Sequence, residues 1–183
     1  SLSDDDSDEP DAVFKYNLSP SLDTTDQMFK KIKAMFSSTV NRIHTSSGMT
    51  LSKVLPILHA DTADIDAWQA LEQSYGNVQR LWHGTGDHNL ISILHRGLFV
   101  PPMRGGTFTT TGRMFGDGVY FSDQSTKALN YAQGYWSGAR NKVCYMLLAD
   151  VVMGNELKPR TYGSAGIASS RNGKYHSINV QGG

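Results

Sequence analysis

The sequence predicts an α+β fold made of short helices and short strands that follow one another without regular alternation. Three observations carry that prediction. Met28, Phe29, Ile32, Met35, Phe36 and Val40 recur at the spacing of one apolar helix face. Short apolar runs at residues 81–83, 119–122 and 142–152 have the length and composition of strands. Their order along the chain lacks the strict strand–helix–strand repeat of a doubly wound sheet.

In chain order, residues 1–12 form a disordered acidic tail, with Asp4-Asp5-Asp6-Ser7-Asp8-Glu9 running into Pro10. The first helix starts near residue 25, capped by Thr24 or Thr25, with Asp26 complementing the helix dipole. A turn follows at Ser46-Ser47-Gly48, and the apolar residues 51–58, broken by Pro56, read as a strand. Residues 64–75 form a second helix with Ile65, Trp68 and Leu71 inward, stopped by Gly76. Residues 81–83 are a strand. Asp87 or His88 opens a short helix carrying Leu90, Ile93 and Leu94, with Gly97 past its end. The Pro, Gly and Thr of residues 101–113 make a loop, and loops of that length inside a domain tend to be functional. Residues 119–122 are a strand, 125–134 a capped helix and 142–152 a longer strand. Beyond Gly154 the chain is polar and glycine-rich.

Composition removes several function classes. Lys and Arg total 17 and Asp and Glu total 17, so no global field favours nucleic acid or an anionic membrane. No apolar run approaches the roughly 18 residues that cross a bilayer, so a soluble, intracellular protein of the nucleus or cytoplasm is expected. Cys144 is the sole cysteine, which forbids an internal disulfide. Within Val143-Cys144-Tyr145-Met146 it reads as a buried, inert thiol. His83, His88 and His95 are five and seven residues apart, a spacing that matches no zinc pattern, so no metal is expected. Residues 112–118 lack the Gly-Lys-Ser/Thr ending of a phosphate loop and lead into a strand rather than a helix. Trp68, Trp82 and Trp136 are read as packing residues.

The chemistry concentrates in Leu81-Trp82-His83-Gly84-Thr85 and in Gly116-Asp117-Gly118-Val119-Tyr120-Phe121. A histidine, a glycine allowing close backbone approach and an aromatic face suit a planar ring attached to a ribose. These two runs, with Met114-Phe115, with Lys127 and Asn130-Tyr131, with Leu147-Leu148 leading to Gly154-Asn155, and with Gly173-Lys174-Tyr175-His176-Ser177, resemble the poly(ADP-ribose) polymerase-like ADP-ribosyltransferases. The motifs lie in matching order across about residues 80–180, and residues 14–79 match more loosely.

The resemblance implies split antiparallel β-sheets flanked by short helices, with NAD bound as substrate and ADP-ribose passed to an acceptor as nicotinamide leaves. It assigns His83 to the ribose hydroxyls, Gly84 to the nicotinamide carboxamide and Thr85 to the adenosine ribose. Tyr120, with Phe121 beside it, and Tyr131 sandwich the ring, Lys127 lines the acceptor side, and residues 103–113 form the loop over the cleft. His83 and Tyr120 are the expected catalytic residues.

Two departures from the family pattern stand out. The serine that follows the lysine, and also holds the carboxamide, is here Ala128. The usual late-strand glutamate has no counterpart among Glu9, Glu72 and Glu156, the last lying too early. The expectation is that residues 13–183 are a catalytic domain lacking its C-terminal strands. No DNA-binding module is visible, and the acceptor is a protein or a nucleic acid. Two other functions fit the same residues: a non-catalytic NAD- or ADP-ribose-binding module, and an NAD glycohydrolase without a macromolecular acceptor.

Overall fold

A computed structural model of the chain describes residues 14–100, 118–159 and 173–180. The acidic tail, the loop at residues 101–113 and Met114, Phe115, Gly116 and Asp117 lie outside the described residues. The architecture is α+β, with three two-stranded sheets among the described residues.

Strand β1 (Tyr16–Leu18) pairs antiparallel with β2 (Ile57–His59). Between them runs α1 (Gln27–Ser38), capped by Asp26, whose carboxylate accepts from the Met28 N–H at 2.7 Å. The expected caps Thr24 and Thr25 do not serve: the Thr25 N–H and hydroxyl both donate to Asp23. An ionised carboxylate one position nearer the first turn makes the stronger cap. The α1 stripe behaves as its spacing predicts. Phe29 and Phe36 are buried, Ile32, Met35 and Val40 pack partly, and only Met28 turns outward. Residues 51–58 give a strand only from Ile57 on, because Pro56 supplies no N–H to a ladder.

Helix α2 (Thr62–Tyr75) begins at the Asp61 cap and departs from expectation on its apolar face. Ile65 and Leu71 are exposed, and no α2 residue is buried. Helical spacing fixes which face is apolar, and the described residues cover this one only in part, leaving Trp68 half-buried. Strand β3 (Val78–Gly84) extends further at both ends than residues 81–83. A 3₁₀ turn (Asp87–Asn89) leads into α3 (Leu90–Arg96), which Gly97 stops at φ +83°, a conformation that glycine adopts without a Cβ clash.

The segment at residues 119–122 is not a strand. It touches the sheet by one antiparallel bridge, Ser122 exchanging both backbone hydrogen bonds with Trp82 at 2.8 Å. Helix α4 (Ser125–Ala132) follows, then a 3₁₀ turn (Tyr135–Ser137). Strand β4 (Met146–Val152) pairs antiparallel with β3 from Val78↔Val152 to Gly84↔Met146. It starts later than residue 142, with Val143 and Tyr145 exposed. Cys144 is half-buried, and loss of water around it pushes its thiol pKa up, in keeping with an inert thiol. Past Gly154 the chain adds β5 (Glu156–Leu157) and β6 (Ser177–Ile178), paired in parallel, which the polar composition concealed.

The core lies between α1, β3 and α4. Phe36, Trp82, Ala128 and Leu129 form its buried centre, and Phe36 meets Trp82 edge-on at 5.9 Å between ring centroids. Trp82 is a packing residue, as expected, whereas Trp136 is exposed.

Candidate active site

The last residues of β3, the approach to Ser122 and the inner face of α4 bring the two informative motifs together. Trp82 anchors the arrangement, bridging to Ser122 on one edge of β3 while β4 takes the other. Residue alternation along β3 then separates roles: Trp82 goes into the core and His83 to the opposite side.

His83 Nδ1 lies 2.7 Å from the Tyr120 carbonyl oxygen, and its ring is 5.5 Å from that of Phe121. A carbonyl only accepts, so Nδ1 carries the hydrogen and Nε2 of the neutral ring is an acceptor. Loss of water around the ring holds the His83 pKa below the ordinary histidine value. The hydrogen bond to Tyr120 offsets part of that shift. The site therefore presents a neutral imidazole of fixed tautomer tied to the backbone of the exposed Tyr120.

Gly84 is required by packing. A Cβ built on it would run into the Ala128 carbonyl oxygen, with the Ala128 carbonyl carbon at 2.5 Å and Cα at 3.2 Å. Strand β3 thus lies against α4 at backbone distance. Ala128 itself is 3% exposed, its methyl group part of the core centre. The Thr85 hydroxyl accepts from the Asn89 side-chain amide at 2.8 Å, which ties the strand end to the turn before α3. Lys127 is exposed on α4, and Tyr131, one turn on, packs its ring 6.1 Å from Trp136.

What holds α4 in place is a buried polar lattice that sequence reasoning missed. Ser46, on a 3₁₀ turn (Thr45–Gly48), is fully buried. Its hydroxyl lies 2.7 Å from Asn130 Oδ1 and 3.0 Å from the Thr126 carbonyl oxygen. The Ser125 hydroxyl donates to the Phe36 carbonyl at 2.8 Å. The Thr126 hydroxyl accepts from the Asn41 N–H at 2.9 Å and lies 2.8 Å from His44 Nδ1. Burial, and then the charge of Lys127, lower the His44 pKa. In sequence these residues were a Ser-Ser-Gly turn and an unremarkable helix start. Only the spacing of small polar residues on the inward face of α4 hinted at partners.

Glu156 is occupied elsewhere. Its carboxylate accepts from the side-chain amides of Asn77 at 2.9 Å, Gln79 at 2.6 Å and Asn179 at 2.9 Å, and pairs with Lys158 at 3.2 Å. Its pKa is lowered chiefly by Asn179. A carboxylate so fully engaged locks the corner of β3, β5 and β6. Two open hollows near the C-terminal end of α1, one lined in part by Thr39, Asn41, Asp123 and Gln124, contain none of the expected site residues. Among the described residues no three His, Cys, Asp or Glu side chains gather as a metal site. No helix among them is long and apolar enough to cross a membrane.

Comparison with known proteins agrees with this geometry. The model of the poly(ADP-ribose) polymerase catalytic domain matches residues 26–182. The chain is 31% identical to poly(ADP-ribose) polymerase 2 of Homo sapiens over 138 residues, 74% of this chain and 22% of that protein. It is 29% identical to poly(ADP-ribose) polymerase 2-B of Oryza sativa subsp. japonica over 159 residues, 87% of this chain and 25% of the relative. It is also 29% identical to poly(ADP-ribose) polymerase 1 of Arabidopsis thaliana over 126 residues, 69% of this chain and 12% of the relative. The chain thus spans a quarter or less of the length of these relatives. With His83 and Gly84 brought against Tyr120, Phe121 and α4 and the match covering most of its residues, the chain belongs to the poly(ADP-ribose) polymerase catalytic-domain family.

Proposed function

We propose that the chain binds NAD across the β3 end and α4, and transfers its ADP-ribose to an acceptor while nicotinamide leaves. The observation that carries this reading is the neutral His83, its Nδ1 committed to the Tyr120 carbonyl and its Nε2 left to accept from a ribose hydroxyl. Gly84, Thr85, Tyr120, Phe121, Lys127, Ala128 and Tyr131 are the proposed remainder of the site, with Tyr120 and Tyr131 stacking on the nicotinamide ring.

The chemistry suits such a site. As the bond from ribose C1′ to the nicotinamide nitrogen breaks, its electron pair leaves with nicotinamide and positive charge develops on the ribose. An acceptor oxygen or other nucleophile then bonds to C1′ and gives up its proton to solvent. Rigid placement and fixed dipoles lower such a barrier. A neutral His83 adds no positive charge to oppose it. NAD pools make the cytoplasm or nucleus the proposed location, and a protein or nucleic acid the acceptor.

The test is NAD labelled in its adenylate half, offered with protein and nucleic-acid acceptors. Release of nicotinamide with label on a macromolecule supports the proposal. Free labelled ADP-ribose alone identifies a glycohydrolase instead. Binding without release, abolished by His83→Ala and Tyr120→Ala, identifies a non-catalytic binding module.

A further inference from the structure

Helix α4 and the residues after it build an exposed aromatic and cationic surface next to the candidate site. Tyr131 packs against Trp136 at 6.1 Å and 52°, and Tyr135 meets Trp136 edge-on at 4.8 Å and 86°. The Arg140 guanidinium lies 4.6 Å over the Tyr135 ring. Two hydrogen bonds hold it there, to the Tyr135 carbonyl at 3.1 Å and the Ala139 carbonyl at 2.7 Å. Trp136, at the centre of this cluster, is 60% exposed. Large exposed aromatic rings fixed by neighbours mark binding surfaces rather than packing.

Charge says what binds. Between Asp123 and Asp150 the sequence contains no carboxylate and three cations, Lys127, Arg140 and Lys142, although the whole chain is balanced. Among the described residues none of these three is in an ion pair. Arg140, held over the Tyr135 ring, therefore favours an anion at the cluster, and the exposed Trp136 ring favours one that carries planar groups. An acidic peptide would satisfy the cations and leave the indole unused. A nucleic acid strand with unpaired bases satisfies both, through base stacking and phosphate neutralisation. We infer that this surface docks a single-stranded nucleic acid beside the candidate site. That it serves ADP-ribosyl transfer there rests on the reading above, whereas its affinity for the strand does not.

The test is anisotropy of a fluorescein-labelled oligothymidylate of about 12 nucleotides, a length in the usual range for single-strand sites. It is titrated across a salt series with wild type, Trp136→Ala, Trp136→Phe and Arg140→Ala, with benzamide binding measured in parallel. Wild type is expected to bind more weakly as salt rises. Trp136→Ala should weaken binding about tenfold and Trp136→Phe, which keeps a stacking face, much less. Arg140→Ala should reduce the slope of log affinity against log salt by about 0.7. Absence of binding at low salt, equal binding by Trp136→Ala, or tighter binding of labelled polyglutamate overturns the inference. Loss of benzamide binding with strand binding intact strikes only the transfer reading.

Discussion

Gly84→Ala separates two reasons for a glycine at the end of β3. The added methyl group would occupy the space of the Ala128 carbonyl oxygen, with the carbonyl carbon only 2.5 Å away. The obstacle is helix backbone, so no side-chain rotation relieves it. Either β3 lifts from α4 or α4 shifts, and α4 is tied down by Ser46, Phe36 and Asn41 through Asn130, Ser125 and Thr126. Overpacking of this kind costs about 1–3 kcal/mol. At roughly 2–4 °C per kcal/mol for a chain of this size, Tm should fall by about 2–12 °C. Thermal denaturation by circular dichroism reads the effect, and benzamide titration reads the site. The packing account requires both stability and binding to fall together. Unchanged Tm would refute it, and unchanged Tm with lost binding would leave ligand approach as the glycine's only purpose.

Three further outcomes follow from the same geometry. Ala128→Ser adds a hydroxyl at the position where the family pattern has serine. Because the Ala128 methyl packs with Phe36, Trp82 and Leu129, the buried hydroxyl should lower stability by about 1–3 kcal/mol in urea denaturation. Unchanged stability with tighter benzamide binding would show that the position faces the ligand. The His83 pKa is lowered in the folded state, so the unfolded chain takes up the proton first. The stability from its neutral ring is complete above the unfolded value near 6.5 and is lost as pH falls from there through the folded value. Stability of His83→Gln should fall less steeply over that window in urea titrations, and parallel curves would show that His83 contributes nothing to it. Glu156→Gln replaces an acceptor of four donors by a group that accepts on one side only. Urea denaturation should show a loss of about 1–3 kcal/mol, with unchanged stability as the contrary result.

How much of this was legible in the sequence depends on the range of the interaction that decides each element. The α1 stripe, the α3–Gly97 stop and the centre of β3 follow from periodicity and a glycine stop confined to a few residues. The pairing of the His83 and Tyr120 motifs was anticipated from residue chemistry and family pattern, and the His83–Tyr120 hydrogen bond brings them together. The tautomer was not, because it depends on a carbonyl 37 residues away. Residues 119–122 have the composition of a strand, yet only Ser122 exchanges backbone hydrogen bonds with β3. The Ser46–Asn130 bond joins residues 84 apart, beyond any local signal. The α2 stripe marks the converse limit, where pattern predicts burial and the described residues leave Ile65 and Leu71 exposed.

The central claim is that His83 and its neighbours form an NAD site, and calorimetric titration of NAD into wild type and His83→Ala tests it most directly. The account predicts saturable binding by wild type and roughly fivefold weaker binding by the variant, which lacks the acceptor for a ribose hydroxyl. Equal affinity of the two proteins, or no binding by a folded wild type, would contradict it.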